Sequence, residues 1–379
     1  MAEPSRNPLN VLVLAQTPPP IHGQSAMTQY LLEGKYERIC LHHVRMAFSE
    51  TISEVGVFKW KKIVHILSIV PRVIWLRIRT GATVLYYPPA GPKVNAFYRD
   101  AALLLALGWM FRYKVFHFYA AGISELYPRL SSFKQWIFRR TYFHADCGIC
   151  LFSAGLKDAE FVRSKTSLVV PCGIPDEAGA AVTERHIPTD IPVITFLAML
   201  SEEKGVFVFL EACAEVIRRG EIIKPILVGW PESEAFETEL RHRIMNLGLE
   251  GLLERHGRTV GEEKFSIYLR TQIFCFPTHY PSEGSPVVLL EAMQFGLPII
   301  ATRWRGCEDL LEDGKTGILV PTKDSTAVAD HIVSLIRNKD LRTRMGKAAR
   351  ERYEQFFSVQ QFRNRMEDVF VATANTRQA

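Results

Sequence analysis

Long apolar runs are missing from this 379-residue chain. No apolar run reaches about 18 residues without charge, so a membrane-spanning helix is not expected. The start, MAEPSRNPLN, lacks the basic and apolar regions of a signal peptide. The expected location is therefore cytoplasmic. Cysteine is scarce too: the chain has seven, an odd number widely spaced, which excludes a secreted disulfide framework. Cys147 and Cys150 make one C-x-x-C, but the second pair that a zinc site needs is absent. Their surroundings, Asp146 to Leu151, read as a buried strand. No D-x-D triplet is placed to hold a divalent ion, so neither a metal nor another cofactor is expected.

What is present is ordinary for a globular protein: 47% hydrophobic and 23% charged residues. The length exceeds what one core organises and predicts two domains. Charge is uneven. Residues 1–170 carry 21 basic and 10 acidic side chains, leaving the remainder net negative within a total of +6. A basic first half suits acidic partners such as phospholipid headgroups or phosphorylated acceptors. No nucleic-acid motif accompanies it, so nucleic acid is not an expected partner.

The densest pattern runs from Pro277 to Glu308, PTHYPSEGSPVVLLEAMQFGLPIIATRWRGCE. Pro286 fits a first helical position, which needs no N–H donor. The spacing predicts a helix through Phe295, stopped by Gly296-Leu297-Pro298, and then a short buried strand from Ile299 to Ala301. Glu283 thus sits in a loop at the mouth of a helix N-terminus, and Glu291 lies inside that helix. Free N–H groups at Gly284, Ser285 and Val287 make an anion site. Two carboxylates beside it suit a ligand both hydroxylated and phosphorylated, as nucleotide sugars are. The plainer alternative is that Glu283 caps a loop and Glu291 is a solvated helix position.

The segment resembles the retaining nucleotide-sugar glycosyltransferases of glycosyltransferase family 4, the glycosyl transferases group 1. Their pattern E-G-x-P-x-x-x-x-E-A-x-x-x-G-x-P-[VI]-[IV]-A-T reads EGSPVVLLEAMQFGLPIIAT here. The likeness continues through GCEDLLEDGKTGILVPTKD and is dense from about residue 192 to 357. It implies an α/β protein of GT-B fold, with two Rossmann-like, doubly wound parallel-sheet domains facing across a cleft. Lys204 and the amides of Gly284, Ser285 and Val287, with Pro286 between them, would hold the donor diphosphate. Glu291 would take the ribose hydroxyls, Val260 would lie near the base, and Glu283 would lie beside the donor sugar. Where the family places an arginine before that lysine, this chain has Met199, which cannot offer a guanidinium's donors.

The first half follows the same plan more loosely. Asn10 to Ala15 reads as a first parallel strand, followed by a proline-rich loop and a helix from about Ala26 to Leu32. The family's Gly-Gly pair in that loop is His22-Gly23 here. Gly23 is then a donor-side contact, and His22 either meets the acceptor or only shapes the turn. Tyr113 to Tyr119 reads as a strand. Tyr119 takes the place of the family's sugar-side histidine, with His117 on the same face, so both are candidate catalytic residues. Pro171-Cys172-Gly173-Ile174 resembles the family's domain-closing P-N-G-[IV]. The expected boundaries are residues 1–174, a linker over 175–191, a donor domain over 192–357, and a C-terminal helix in 358–379 returning to the first domain.

Residues 59–79, KWKKIVHILSIVPRVIWLRIR, combine helical apolar spacing with six lysines and arginines, one histidine and two tryptophans. That composition suits a helix lying on an anionic membrane surface. An ordinary core-facing helix interrupted by Pro71 is the other reading. The function expected is transfer of a sugar to a glycan or lipid-linked acceptor, in surface polysaccharide or glycolipid synthesis. A catalytically silent GT-B module partnering another transferase is the alternative.

Overall fold

The computed structural model describes residues 7–20, 22–46, 60–179 and 191–375, with the backbone alone for 60–66. The chain divides into two compact units: Met1–Gly173 with Val359–Ala379, and Ile174–Ser358.

The first unit is built on strands β1 (Leu9–Ala15), β2 (Ile39–Arg45), β3 (Val84–Tyr87), β4 (Tyr113–Phe118), β5 (Cys147–Cys150) and β6 (Thr166–Val169). All pair in parallel, in the order β2-β1-β3-β4-β5-β6. A parallel sheet covered on both faces needs near-continuous apolar strands, and Val11 to Ala15 of β1 are accordingly buried. The edge strand β2, ICLHHVR, escapes such a reading because His42 and His43 break its apolar run. Their imidazoles are instead hydrogen-bonded, His42 Nε2 to Asn10 Oδ1 at 2.9 Å and His43 Nε2 to Ala15 O at 3.1 Å.

Right-handed crossovers send the helices that follow β2 to one face of this sheet. Helices Trp60–Thr80, Val94–Leu107 and Ser132–Tyr142 lie there side by side. The first runs unbroken through Pro71, where the core-facing reading of this segment had an interruption. Pro71 is exposed, so water can replace the hydrogen bond its missing N–H would have made. Helix Gly23–Leu32 packs with the C-terminal helix Val359–Asn375. The latter buries Phe362, Met366 and Phe370, and Phe370 meets the Tyr86 ring edge-on at 5.6 Å.

The second unit carries β7 (Val193–Leu197), β8 (Lys224–Val228), β9 (Glu254–His256), β10 (Ile273–Phe276), β11 (Ile299–Thr302) and β12 (Ile318–Val320). Their order is β12-β11-β10-β7-β8-β9, again all parallel. This is the Rossmann order, with its reversal between β7 and β10. Residues 175–179 of the expected linker are tied to this unit. The Glu177 N–H donates to Gln294 Oε1 at 2.8 Å, and Arg350 Nη1 to Asp176 Oδ1 at 2.8 Å. The rest of that linker, 180–190, lies outside the described residues. A single helix expected over Leu341 to Phe357 is instead Lys339–Arg352 followed by a wider π turn, Tyr353–Phe357.

Candidate functional site

The loops leaving β7 and β10 start from neighbouring strand ends at the order reversal, where open α/β sheets gather ligands. Lys204 comes from the first loop and Glu283 from the second. Lys204 Nζ stands 2.7 Å from Glu283 Oε2, with the side chains 17% and 7% exposed. Thr278 Oγ1 donates to the same carboxylate oxygen at 3.0 Å. The ammonium also lies 4.5 Å from the centre of the Tyr280 ring, an attraction that strengthens as water is excluded. Trp304 Nε1 donates to Tyr280 O at 2.9 Å and steadies that loop. Thr278 was not legible as a site residue, since one threonine after an apolar strand carries no pattern.

Two glycines permit this approach. Gly205 has φ +85°, and a Cβ there would collide with the carbonyl of Pro277. A Cβ on Gly306 would strike the carbonyl of Gly284. Both loops are thus pressed closer than any side chain allows.

Beyond Gly284, Pro286 serves as the N-cap, with φ −67° and ψ 109°, rather than as the first helical residue. The helix runs Val287–Gln294; its Leu289 N–H turns back to Pro286 O at 3.0 Å, and the N–H groups of Val287 and Val288 have no acceptor within the helix. Ser285 Oγ is buried with no hydrogen-bond partner. A buried hydroxyl beside open helix donors is an uncompensated polar corner, and an anion would satisfy it.

Glu291 is not a solvated helix position. Its carboxylate is 13% exposed, with Lys264 Nζ at 2.6 Å on one oxygen and the Tyr268 hydroxyl donating at 2.8 Å to the other. Burial holds the Tyr268 phenol well above its usual pKa, so it stays a donor. Both partners come from helix Gly261–Arg270, where a four-residue spacing puts them on one face. That spacing was the available signal, and it means little until the facing carboxylate is known. Val260, at the N-cap of the same helix, is 62% exposed. Close in sequence, Arg258 stacks over Trp230 at 5.2 Å.

The other candidates belong to the first unit. His22 caps helix Gly23–Leu32: its Nδ1 accepts from the Ser25 N–H at 3.3 Å, and its own N–H donates to Ser25 Oγ at 3.0 Å. This cap starts the helix at Gly23, three residues before the expected Ala26. An Nδ1 that accepts puts the neutral ring's proton on Nε2, and burial lowers its pKa further. Of the two readings left open for His22, turn shaping is the role observed, and only Nε2 is left to meet a ligand.

His117 is fully buried, with Nδ1 2.9 Å from the Tyr86 hydroxyl and its ring 4.2 Å from that of Tyr119. Burial depresses its pKa to about 3, so it is neutral. Tyr119 is half-buried, its hydroxyl 3.3 Å from that of Tyr86. The loop after β3 is held by buried Asp100, which accepts from the Ala90 N–H and the Tyr87 hydroxyl, both at 2.7 Å. Asp158 holds the loop after β4 through the N–H groups of Gly122 at 2.7 Å and Ser124 at 2.9 Å. Neither acid was singled out from sequence. Among the described residues, no group of three or more His, Cys, Asp or Glu side chains is placed to hold a metal ion.

A family model for glycosyl transferases group 1 matches residues 182–352. Over this stretch, just under half of the chain, the sequence is similar to that family. The capsular polysaccharide biosynthesis glycosyltransferase CapM of Staphylococcus aureus is 28% identical over 178 residues, 47% of this chain and 45% of that protein. A phosphatidyl-myo-inositol mannosyltransferase of Mycobacterium leprae is 30% identical over 159 residues, 42% of this chain and 41% of that one. The matches therefore span less than half the length of these curated relatives. Among solved structures, HepE of Anabaena in complex with UDP aligns with a TM-score of 0.71 at 18% identity, covering 96% of this chain and 100% of that one. With two parallel six-stranded sheets, this likeness gives the chain a GT-B fold made of two Rossmann-like domains.

Proposed function

We propose that this chain is a retaining group 1 glycosyltransferase of the hexosyl type, using a nucleotide sugar. The acceptor is a glycan or lipid-linked molecule at the cytoplasmic face of a membrane, within surface polysaccharide or glycolipid synthesis. The observation that carries the reading is the largely buried Lys204–Glu283 pair at the strand-order reversal of the family-matched domain. The names of CapM and of the mannosyltransferase support the acceptor class. HepE, which shares the fold, binds UDP and UDP-glucose, so uridine nucleotides are the first to test.

In this reading the donor diphosphate lies against the first-turn amides of helix Val287–Gln294, the Ser285 hydroxyl and the Lys204 ammonium. Fixed positive charge there stabilises the departing phosphate without a metal. The ribose hydroxyls share the Glu291 carboxylate with Tyr268 and Lys264. Glu283 faces the sugar ring and offsets positive charge building at the anomeric carbon. The acceptor oxygen bonds to that carbon on the face from which phosphate leaves. The carbon–oxygen bond to phosphate breaks, and the acceptor's proton passes to the departing phosphate oxygen. Tyr119 and His22 Nε2 are acceptor-side contacts, while enclosed His117 positions Tyr119 by stacking.

The test is a thermal-shift series with UDP, GDP, ADP, CMP and their sugar conjugates, with and without chelator. Saturation at a hundredfold over the dissociation constant adds roughly 2.7 kcal/mol to the folded state. The expected result is a chelator-insensitive shift with one nucleotide that Glu291→Ala abolishes, followed by a product of retained anomeric configuration. An inverted product would refute the mechanism. No shift with any nucleotide would favour a silent partner module, the reading that Met199 supports by standing where the family has arginine.

A further inference from the structure

The first unit carries an exposed aromatic surface that the transferase reading does not use. Three helices lie side by side on one face of its sheet: residues 60–80, 94–107 and 132–142. Each turns one stripe outward at three- to four-residue spacing. On the first helix the stripe includes Leu67, Trp75 and Ile78. On the second it is Tyr98 and Leu105, continued by Trp109 in the short 3-10 turn Gly108–Met110. On the third it is Phe133 and Trp136, stacked 6.1 Å apart. The opposite stripes, with Val73, Leu104 and Phe138, enter the core. Trp109 is 78% exposed, Ile78 73% and Phe133 69%. Single exposed apolar side chains are normal, but a gathering of this kind marks a contact surface.

The stripes form one surface because side chains bridge them. Arg77 of the first helix donates to Met110 O at 3.4 Å and lies over the Phe111 ring at 5.9 Å. Lys134 of the third helix lies 5.5 Å over the Tyr98 ring of the second. Cations also flank the tryptophans, with Arg79 over Trp75 at 4.9 Å and Arg140 over Trp136 at 5.4 Å. From Leu67 to Phe143 the sequence holds two acids: Asp100, which is fully buried, and Glu125, which pairs with Lys157. Among the described residues the surface is thus aromatic and cationic with no unpaired carboxylate. Tryptophan beside arginine suits the headgroup level of a bilayer, and uniform positive charge suits anionic lipid. No described helix is long and apolar enough to cross a membrane, so the contact lies in the interface.

We propose that this three-helix face seats the protein on an anionic phospholipid bilayer. Trp109, Phe133 and Trp136 enter the boundary between headgroups and acyl chains, while exposed Arg72, Arg79, Arg139 and Arg140 meet lipid phosphates. This moves the centre of the contact away from the basic helix alone, and it stands whether or not the chain transfers sugar.

The experiment is co-sedimentation of the full chain with phosphatidylcholine vesicles, with and without phosphatidylserine. Binding is expected only with the anionic lipid and is weakened by salt. The triple variant W109S/F133S/W136S should lower the partition coefficient by at least roughly tenfold. R139E/R140E should lower it by roughly tenfold or more on anionic vesicles. All five positions are exposed, so the variants should melt with the parent protein. Should the triple variant fail to fold, quenching of tryptophan fluorescence by brominated lipids in the parent, reduced in W109F/W136F, carries the same test. Absence of binding to any vesicle, or binding that the triple variant leaves intact, would overturn the proposal. So would a dimer in sedimentation velocity that the triple variant dissociates, because a second copy would then cover this face.

Discussion

Lys204 and Glu283 hold one another at a place where neither is fully hydrated, which decides what their removal costs. Lys204→Met leaves a nearly buried carboxylate with only Thr278 as donor, and Glu283→Gln leaves the ammonium over Tyr280 without its counter-charge. Each single change should cost about 2–4 kcal/mol in urea unfolding, somewhat below a fully buried pair because Lys204 keeps some water. The double variant should cost less than the sum by about 1 kcal/mol or more. Additive losses would show that the two charges are not coupled. His117 sets a different expectation at the same scale. Its folded pKa of about 3 lies below the ordinary 6.5, so the unfolded chain takes up the proton first. Its stabilising contribution is complete above pH 6.5 and is lost as pH falls from there towards 3, about 3 kcal/mol being gone at pH 4. Replacing His117 with Gln should flatten that acid-side slope in denaturation measured across pH 7 to 4. An unchanged slope would mean that other groups govern it.

At the scale of elements, the site is made by two loops pressed together and by one helix laid against another. Gly205→Ala puts a methyl group into the Pro277 carbonyl at a positive φ. It should cost about 2–4 kcal/mol in thermal or urea unfolding of the second unit. Gly306→Ala pushes on the Gly284 carbonyl instead, displacing the corner that holds Ser285. The expected outcome is a nucleotide thermal shift that falls by more than half while the unliganded protein still unfolds cooperatively. An intact shift would remove that corner from the binding site. The Glu291 carboxylate owes its position to Lys264 and Tyr268 on the neighbouring helix, so its orientation belongs to helix packing rather than to the motif that contains it.

At the scale of the whole molecule, the first unit is completed by the last helix of the chain. Phe362, Met366 and Phe370 are fully buried, each contributing roughly 1.5–3 kcal/mol of apolar burial. Together that rivals the net stability of a typical domain. Ending the chain at Ser358 should therefore unfold the first unit at a lower temperature, while the second keeps its own transition and its response to nucleotide. A single unshifted transition in calorimetry would contradict this.

Much of the architecture could be read from the chain alone. Apolar strands separated by amphipathic helices implied parallel sheets, and the run from Glu283 to Thr302 marked a candidate site at a helix mouth, because its glycines, prolines and carboxylates follow one another in sequence. Strand β2 was hidden because an edge strand needs only part of an apolar face. Asp100 and Asp158 were hidden because what makes them matter is the loop amides they hold across the sheet. The same holds for Lys264 and Tyr268 under Glu291, and for the outward stripes of three helices whose bridging by Arg77 and Lys134 no periodicity records. Local pattern settled which elements form, since backbone hydrogen bonding and burial act over a few residues. Only tertiary structure decided which side chains share a carboxylate, which histidine is enclosed and which aromatics stay uncovered, because those follow from contacts between residues far apart in the chain.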